Sequence, residues 1–206
     1  MQQLKIGILI ALIFSGGCLL GQKKDKSPAF EVYRQFWNAT FLIKFQEKDP
    51  QIEYLVRTNK TDKLEEFILE QDQFRNEILS AFKQFPGEIG FFYTENFDAV
   101  KSGDYSAVKN ENGMSMQVDQ ERPVFIIDPY KIESRNNTFN TDLTGFMMLD
   151  SKGERLPSPF PDYVIKRGKS IVDRTPIYSA VKRWRKKIVF FGKTHDLDSP
   201  LADNDN

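Results

Sequence analysis

Few side chains in this sequence belong to the types that usually carry out covalent chemistry. Cys18 is the only cysteine and His195 the only histidine in 206 residues. Cys18 ends an N-terminal apolar run, so the rest of the chain has no cysteine nucleophile to pair with the histidine, and a zinc site needs several such ligands. His195 is next to Asp196 and could act as a general base, but a lone histidine in a polar segment is more commonly solvated. We therefore expect neither a metal ion nor a cofactor.

Two short segments look like the end of a phosphate-binding loop, namely Gly168-Lys169-Ser170 and Gly192-Lys193-Thr194. A complete loop of this kind needs another glycine five positions earlier, so that backbone amides can surround the phosphates. Those positions hold Tyr163 and Lys187. The sequence therefore argues against a nucleotide site.

Carboxylate chemistry has no local sequence signature, and it stays open. Two acids a few ångströms apart are enough to hydrolyse a glycosidic bond. Aspartates in such positions are more commonly turn formers, so we expect a protein without catalytic activity and keep a carboxylate-dependent hydrolase as an alternative. The aspartates that flank predicted strands are Asp98, Asp104, Asp128, Asp142 and Asp150.

The N-terminal segment has the pattern of an export signal. Lys5 is followed by an apolar run, Ile6 to Phe14, which is too short to cross a bilayer. Small residues come next and end at the single cysteine, as Ser15-Gly16-Gly17-Cys18. This tetrapeptide resembles the lipobox of bacterial lipoproteins. An ordinary secretory signal and a retained N-terminal anchor are the alternatives.

The resemblance implies a processed and acylated protein. Residues 1–17 would be the signal peptide, and Cys18 would become the lipidated N-terminus. One acyl chain binds a membrane only marginally, whereas two or more hold it stably. Residues 18–27 would form a tether with a reach of at most about 30 Å. The expected location is the bacterial cell envelope, on the outer membrane or the periplasmic face of the inner membrane.

Charge is balanced overall, with 29 basic and 29 acidic residues, but it is unevenly distributed. Residues 161–193 have a net charge of +8, and residues 194–206 carry four aspartates. Balanced charge and export both argue against nucleic acid as a partner. A basic helix around Trp184 could bind anionic lipid or an acidic envelope polymer; alternatively Trp184 points inward and the cations are solvated. The candidate residues are Lys182, Arg183, Arg185, Lys186 and Lys187.

Periodicity predicts helices in the N-terminal half. Ser27-Pro28 begins the first, and aromatic residues from Phe30 to Phe45 recur on one helical face. A short helix follows Asp49-Pro50, with Ile52, Leu55 and Val56 inward. A long one runs from Thr61 to about Phe85 with Ile68 in its apolar stripe.

Strand patterns dominate after Gly87. The apolar or alternating runs are 89–93, 105–108, 114–118, 124–127, 143–149 and 163–166, with a hairpin loop at 110–113. A late basic helix begins at Thr175-Pro176, and residues 188–191 read as a final strand or packing segment. We expect an α+β fold, with N-terminal amphipathic helices packed on a mostly antiparallel sheet. The domain covers 28–193, followed by an acidic disordered tail, 194–206.

Three functions are consistent with these features. The first is a membrane-anchored envelope lipoprotein that acts as a non-catalytic binding or structural module. The second is a small-ligand-binding α+β domain, similar in element order to cystatin-like or NTF2-like folds. The third is the envelope hydrolase.

Overall fold

The computed structural model describes residues 27–46, 50–132, 143–160, 162–166 and 176–197. In these residues helices are combined with one mixed five-stranded sheet, which is an α+β architecture. The predicted signal peptide, Cys18 and nearly all of the predicted tether lie outside the described residues.

The described elements alternate along the chain. The helices are α1 (Pro28–Phe36), α2 (Pro50–Arg57), α3 (Thr61–Phe82), α4 (Phe97–Lys101) and α5 (Pro176–Thr194), with a 3₁₀ turn at Thr94–Asn96. The strands are β1 (Thr40–Phe45), β2 (Glu88–Tyr93), β3 (Val124–Ile132), β4 (Leu143–Leu149) and β5 (Asp162–Lys166), in the sheet order β2-β1-β3-β4-β5.

The sheet is mixed rather than mostly antiparallel. Strand β1 pairs in parallel with β2 and with β3, whereas β4 runs antiparallel to β3 and β5. Parallel neighbours need a long crossover connection. Helices α2 and α3 form the crossover between β1 and β2, and residues 94–123 form the one between β2 and β3.

The position of strand β1 shows that the predicted first helix was too long. That helix ends at Phe36, and residues 40–45 form the centre of the sheet. Phe41 and Ile43 are buried under the helices, while Leu42 is buried on the opposite face. A strand covered on both faces is apolar at nearly every position, and four of the six residues of β1 are apolar. Phenylalanines four residues apart therefore fit this strand as well as a helix, and the helical interpretation was wrong.

The predicted hairpin between Tyr105 and Val118 is present only as a turn. Asn110 organises that turn, because its side-chain oxygen accepts hydrogen bonds from the amides of Asn112 and Met114 at 3.0 and 3.1 Å. The flanking residues form isolated bridges instead of a ladder. Val108 and Met116 instead pack on the second face of the sheet, with the rest of its apolar cluster.

Helices α1, α3 and α5 cover the first face of the sheet, and aromatic rings fill the described part of that interface. The Phe36 ring lies 5.2 Å from both Phe41 and Phe85. The Trp184 ring lies 5.7 Å from Phe85 and 6.3 Å from Phe82. Trp184 is fully buried, so the inward orientation of this residue is confirmed.

The rest of the described structure buries only part of the α2–α3 helix pair. In α3, fully buried residues begin at Ile78, and the earlier turns contain only partly buried and exposed residues. Val56 and Ile68, both expected to point inward, are 59% and 42% exposed. Amphipathic periodicity identifies an apolar face, but packing depends on whether another element lies against it.

Candidate functional site on the basic helix

Helix α5 has one buried face and one charged face. Ile177, Val181, Trp184 and Ile188 are buried against the helices and sheet. The first turn is tied to the end of α3, because the Gln84 side-chain amide donates a hydrogen bond to the Tyr178 carbonyl at 3.1 Å. Because the apolar face of α5 is packed inward, the opposite, charged face is directed toward solvent.

The outward face of α5 is cationic. The helix carries six basic residues and no acidic residue. Arg185 is partly buried, and the other five are exposed. None of these five makes an ion pair with any residue that the structure describes. Together with Phe190 they form a surface that we call the cationic stripe: Lys182, Arg183, Lys186, Lys187, Phe190 and Lys193.

Two members of the cationic stripe were not among the predicted site residues. Residues 188–191 were expected to form a strand or packing segment, but α5 continues to Thr194. Phe190 is consequently 68% exposed, on the same face as Lys186 and Lys193. The signal was the spacing of four, four and three residues from Lys182 to Lys193, which places these side chains on one helical face.

The N-terminal helix packs against the C-terminal half of α5. The Phe30 ring lies 5.7 Å from Phe191 and 5.2 Å from His195, and the Tyr33 ring lies 6.1 Å from Phe191. We call this contact the α1–α5 junction. Because Phe30 is in the first turn of α1, the N-terminal end of the described body lies beside the last turns of α5.

Gly192 permits the close approach of the two helices at this junction. A Cβ atom at this position would lie 1.9 Å from the Tyr33 hydroxyl oxygen, and Tyr33 is fully buried. Glycine to alanine in a helix normally stabilises by about 1 kcal/mol. We expect the opposite for Gly192→Ala, a loss of about 1–3 kcal/mol in the free energy of unfolding, measured by chemical denaturation.

Ser179→Ala, at a partly buried position of the same helix, is the control and should change stability by no more than about 0.5 kcal/mol. A Gly192→Ala variant as stable as the native chain would contradict the geometry of the junction.

The packed body extends past the predicted domain end at residue 193. The Leu197 amide donates a hydrogen bond to the Gly192 carbonyl at 3.0 Å. His195 lies against the Phe191 ring at 4.5 Å, with Nδ1 2.9 Å from the Phe191 carbonyl oxygen. His195 therefore has a packing role at the junction. The rest of the predicted tail lies outside the described residues.

Four of the five candidate aspartates lie in the described residues, and each has a structural contact. Asp98 and Asp128 each form an ion pair with a lysine, at 2.7 and 2.6 Å. Asp104 and Asp150 accept hydrogen bonds from backbone amides two residues further along, at 3.0 and 2.9 Å. The amide hydrogen bond lowers the pKa of the Asp104 carboxyl group. Asp142 lies outside the described residues. The hydrolase alternative gains no support from these contacts.

Three surface grooves lined by described residues are partly or largely open and have mixed polar and apolar linings. Their volumes are about 300, 430 and 410 Å³. A small-ligand site is usually an enclosed and mainly apolar cavity, and none of these described grooves has that form. In the described residues, no three His, Cys, Asp or Glu side chains come together in a way that could hold a metal ion.

None of the described helices has both the length and the apolar character that crossing a membrane requires. Comparisons with known protein families, with curated proteins and with solved structures each found no match for this chain.

Proposed function

We propose that this chain is a bacterial envelope lipoprotein in which a lipidated Cys18 anchors a non-catalytic α+β body. The cationic stripe gives that body a second contact, with an anionic component of the envelope. The proposed location is the outer membrane or the periplasmic face of the inner membrane.

The sequence Ser15-Gly16-Gly17-Cys18 supports the anchor, and the α1–α5 junction is the observation that would relate this anchor to the cationic stripe. The Phe30 amide donates a hydrogen bond to the Ser27 carbonyl at 2.9 Å, so Ser27 is within one turn of the residue that contacts Phe191 and His195. The tether from Cys18 to Ser27 is short, at most about 30 Å. A lipid on Cys18 would therefore hold the cationic stripe close to the membrane.

The two contacts would have different tasks. Acyl chains on one cysteine contribute about 0.8 kcal/mol for each buried methylene, which is sufficient to retain the chain. Each Lys or Arg near an anionic surface adds about 1 kcal/mol. Because the tether keeps the stripe at a high local concentration, contacts of this strength suffice to orient the body. The stripe would thus set which side of the body lies against its partner.

Cys18→Ala tests the anchor. We expect loss of acylation, accumulation of the unprocessed chain, and loss of the mature protein from the membrane fraction. Mass spectrometry of the N-terminus and fractionation of the producing bacterium measure these effects. Gly21→Ala, three residues further along, is the control and should be processed like the native chain. An unmodified native N-terminus at a residue other than Cys18 would refute the lipoprotein assignment.

A further inference from the structure

We infer that the partner of the cationic stripe is the surface of an anionic phospholipid bilayer, with Phe190 inserted at the boundary between headgroups and acyl chains. This inference rests on the proposed function, because the lipid anchor brings α5 to the bilayer. It goes further by naming the partner and the residue that enters it.

Phe190 has the surroundings of an interfacial anchor. It is 68% exposed, although full exposure of a phenylalanine to water is unfavourable. Lys186, Lys187 and Lys193 lie three or four residues away, and therefore one turn to either side on the helix surface. Helices that lie in the plane of a membrane combine basic residues with aromatic or apolar ones that enter the acyl boundary.

The charges on the stripe are available to lipid phosphates. Its five cations have no ion pair among the described residues, so no partner within the described part of the chain has to be displaced. The aliphatic stems of lysine can lie beside an inserted ring while the amino groups stay at the phosphates. Phe190 and its neighbours can therefore contact one bilayer at the same time.

A second exposed apolar residue, on α3, lacks the basic neighbours that surround Phe190. Leu69 on α3 is 59% exposed, which is close to the value for Phe190. Its neighbours at the same spacings are acidic: Glu65, Glu66 and Asp72. An anionic bilayer would repel this surface of α3 and attract the cationic stripe.

A bilayer also fits the stripe better than the other anionic partners. An acidic envelope polymer would bind the lysines but would not require an exposed phenylalanine among them. A second copy of the chain could bind the stripe through its acidic α3 surface. The stripe would then be held away from the membrane to which the proposed lipid anchor attaches the chain.

The test uses Phe190→Cys in the full lipidated chain, purified in detergent and reconstituted into vesicles. The Cys18 sulfur of an acylated lipoprotein is blocked, so the introduced thiol alone reacts with an environment-sensitive thiol dye. Emission is compared in phosphatidylcholine vesicles and in vesicles that also contain phosphatidylglycerol. Leu69→Cys carries the same dye as the matched control.

We expect the dye at position 190 to shift to shorter wavelength only in the vesicles that contain phosphatidylglycerol. Spin-labelled lipids should quench it at a depth of about 5–10 Å, the usual depth of an interfacial helix face. Salt at about 1 M, where the Debye length is about 3 Å, should reverse much of the shift. The dye at position 69 should remain in water throughout.

A dye at position 190 that stays in water in both vesicle types would overturn the inference. A shift caused by a soluble polyanion but not by vesicles would assign the stripe to a polymer. A shift that depends on protein concentration without anionic lipid would assign it to self-association. Each of these two results would also overturn the bilayer contact. Acylation of Cys18 is measured separately, by mass spectrometry of the N-terminus. If Cys18 proves to be unmodified, the dye-labelled Phe190→Cys and Leu69→Cys variants can be made in a Cys18→Ala background. With excess vesicles, these variants still test the stripe.

Discussion

Reversing two charges of the cationic stripe, in Lys182→Glu with Lys186→Glu, should nearly abolish binding of the body to anionic vesicles. Each residue changes the charge by two units, and one unit near an anionic surface is worth about 1 kcal/mol. The double variant should therefore lose about 4 kcal/mol, or about 1000-fold in affinity. A chain that begins at Ser27 allows this affinity to be measured by co-sedimentation without the anchor.

The matched control is Lys63→Glu with Lys152→Glu. Both of these lysines are exposed and lie outside α5, so the net charge of the protein changes by the same amount. Its binding should fall much less, because these residues are not part of the stripe. Equal losses in the two double variants would mean that overall charge attracts the vesicle and that the stripe is not the contact.

Trp184→Ala should cause the largest loss of stability among single substitutions in α5. Trp184 is fully buried and contacts the rings of Phe82 and Phe85. Truncating a buried aromatic residue costs about 3–5 kcal/mol, from lost burial and the cavity left behind. The whole stability of a domain is typically about 5–15 kcal/mol, so the denaturant midpoint should fall sharply at an unchanged slope.

Phe190→Ala is the control for this effect, since it removes an aromatic ring from the exposed face of the same helix. We expect it to change stability by no more than about 0.5 kcal/mol. The two substitutions should therefore separate the two faces of α5, one needed for folding and the other for binding. Similar losses of stability in both variants would show that Phe190 is packed in solution.

Local sequence signals predicted much of α5 and several strands of the sheet. The sequence shows the proline at the first position of α5, the inward apolar residues at 177, 181 and 184, and the basic cluster around position 184. The spans 88–93, 143–149 and 162–166 are close to the predicted strands. These signals succeed because capping residues and a repeating apolar pattern act over one or two turns, or along one strand.

The extent of the cationic stripe depends on the residue at which α5 ends. The run Ile188 to Phe191 is apolar and short, and such a run fits a strand as well as a helix. Only its position decides the matter: Ile188 lies one turn after Trp184 and is buried with it, while Phe190 faces away. The exposed ring among lysines was therefore not part of the predicted site.

The sequence alone determined the elements whose signals are local: the late basic helix and most of the strands. The tertiary structure decided the parallel pairing of β1, the exposure of the first turns of α3, and the α1–α5 junction. These features depend on contacts between residues far apart in the chain, and no local pattern records which surfaces will meet. The nearness of Phe30 to the last turns of α5 is of this second kind, because it depends on α1 packing across the end of a helix that begins nearly 150 residues later.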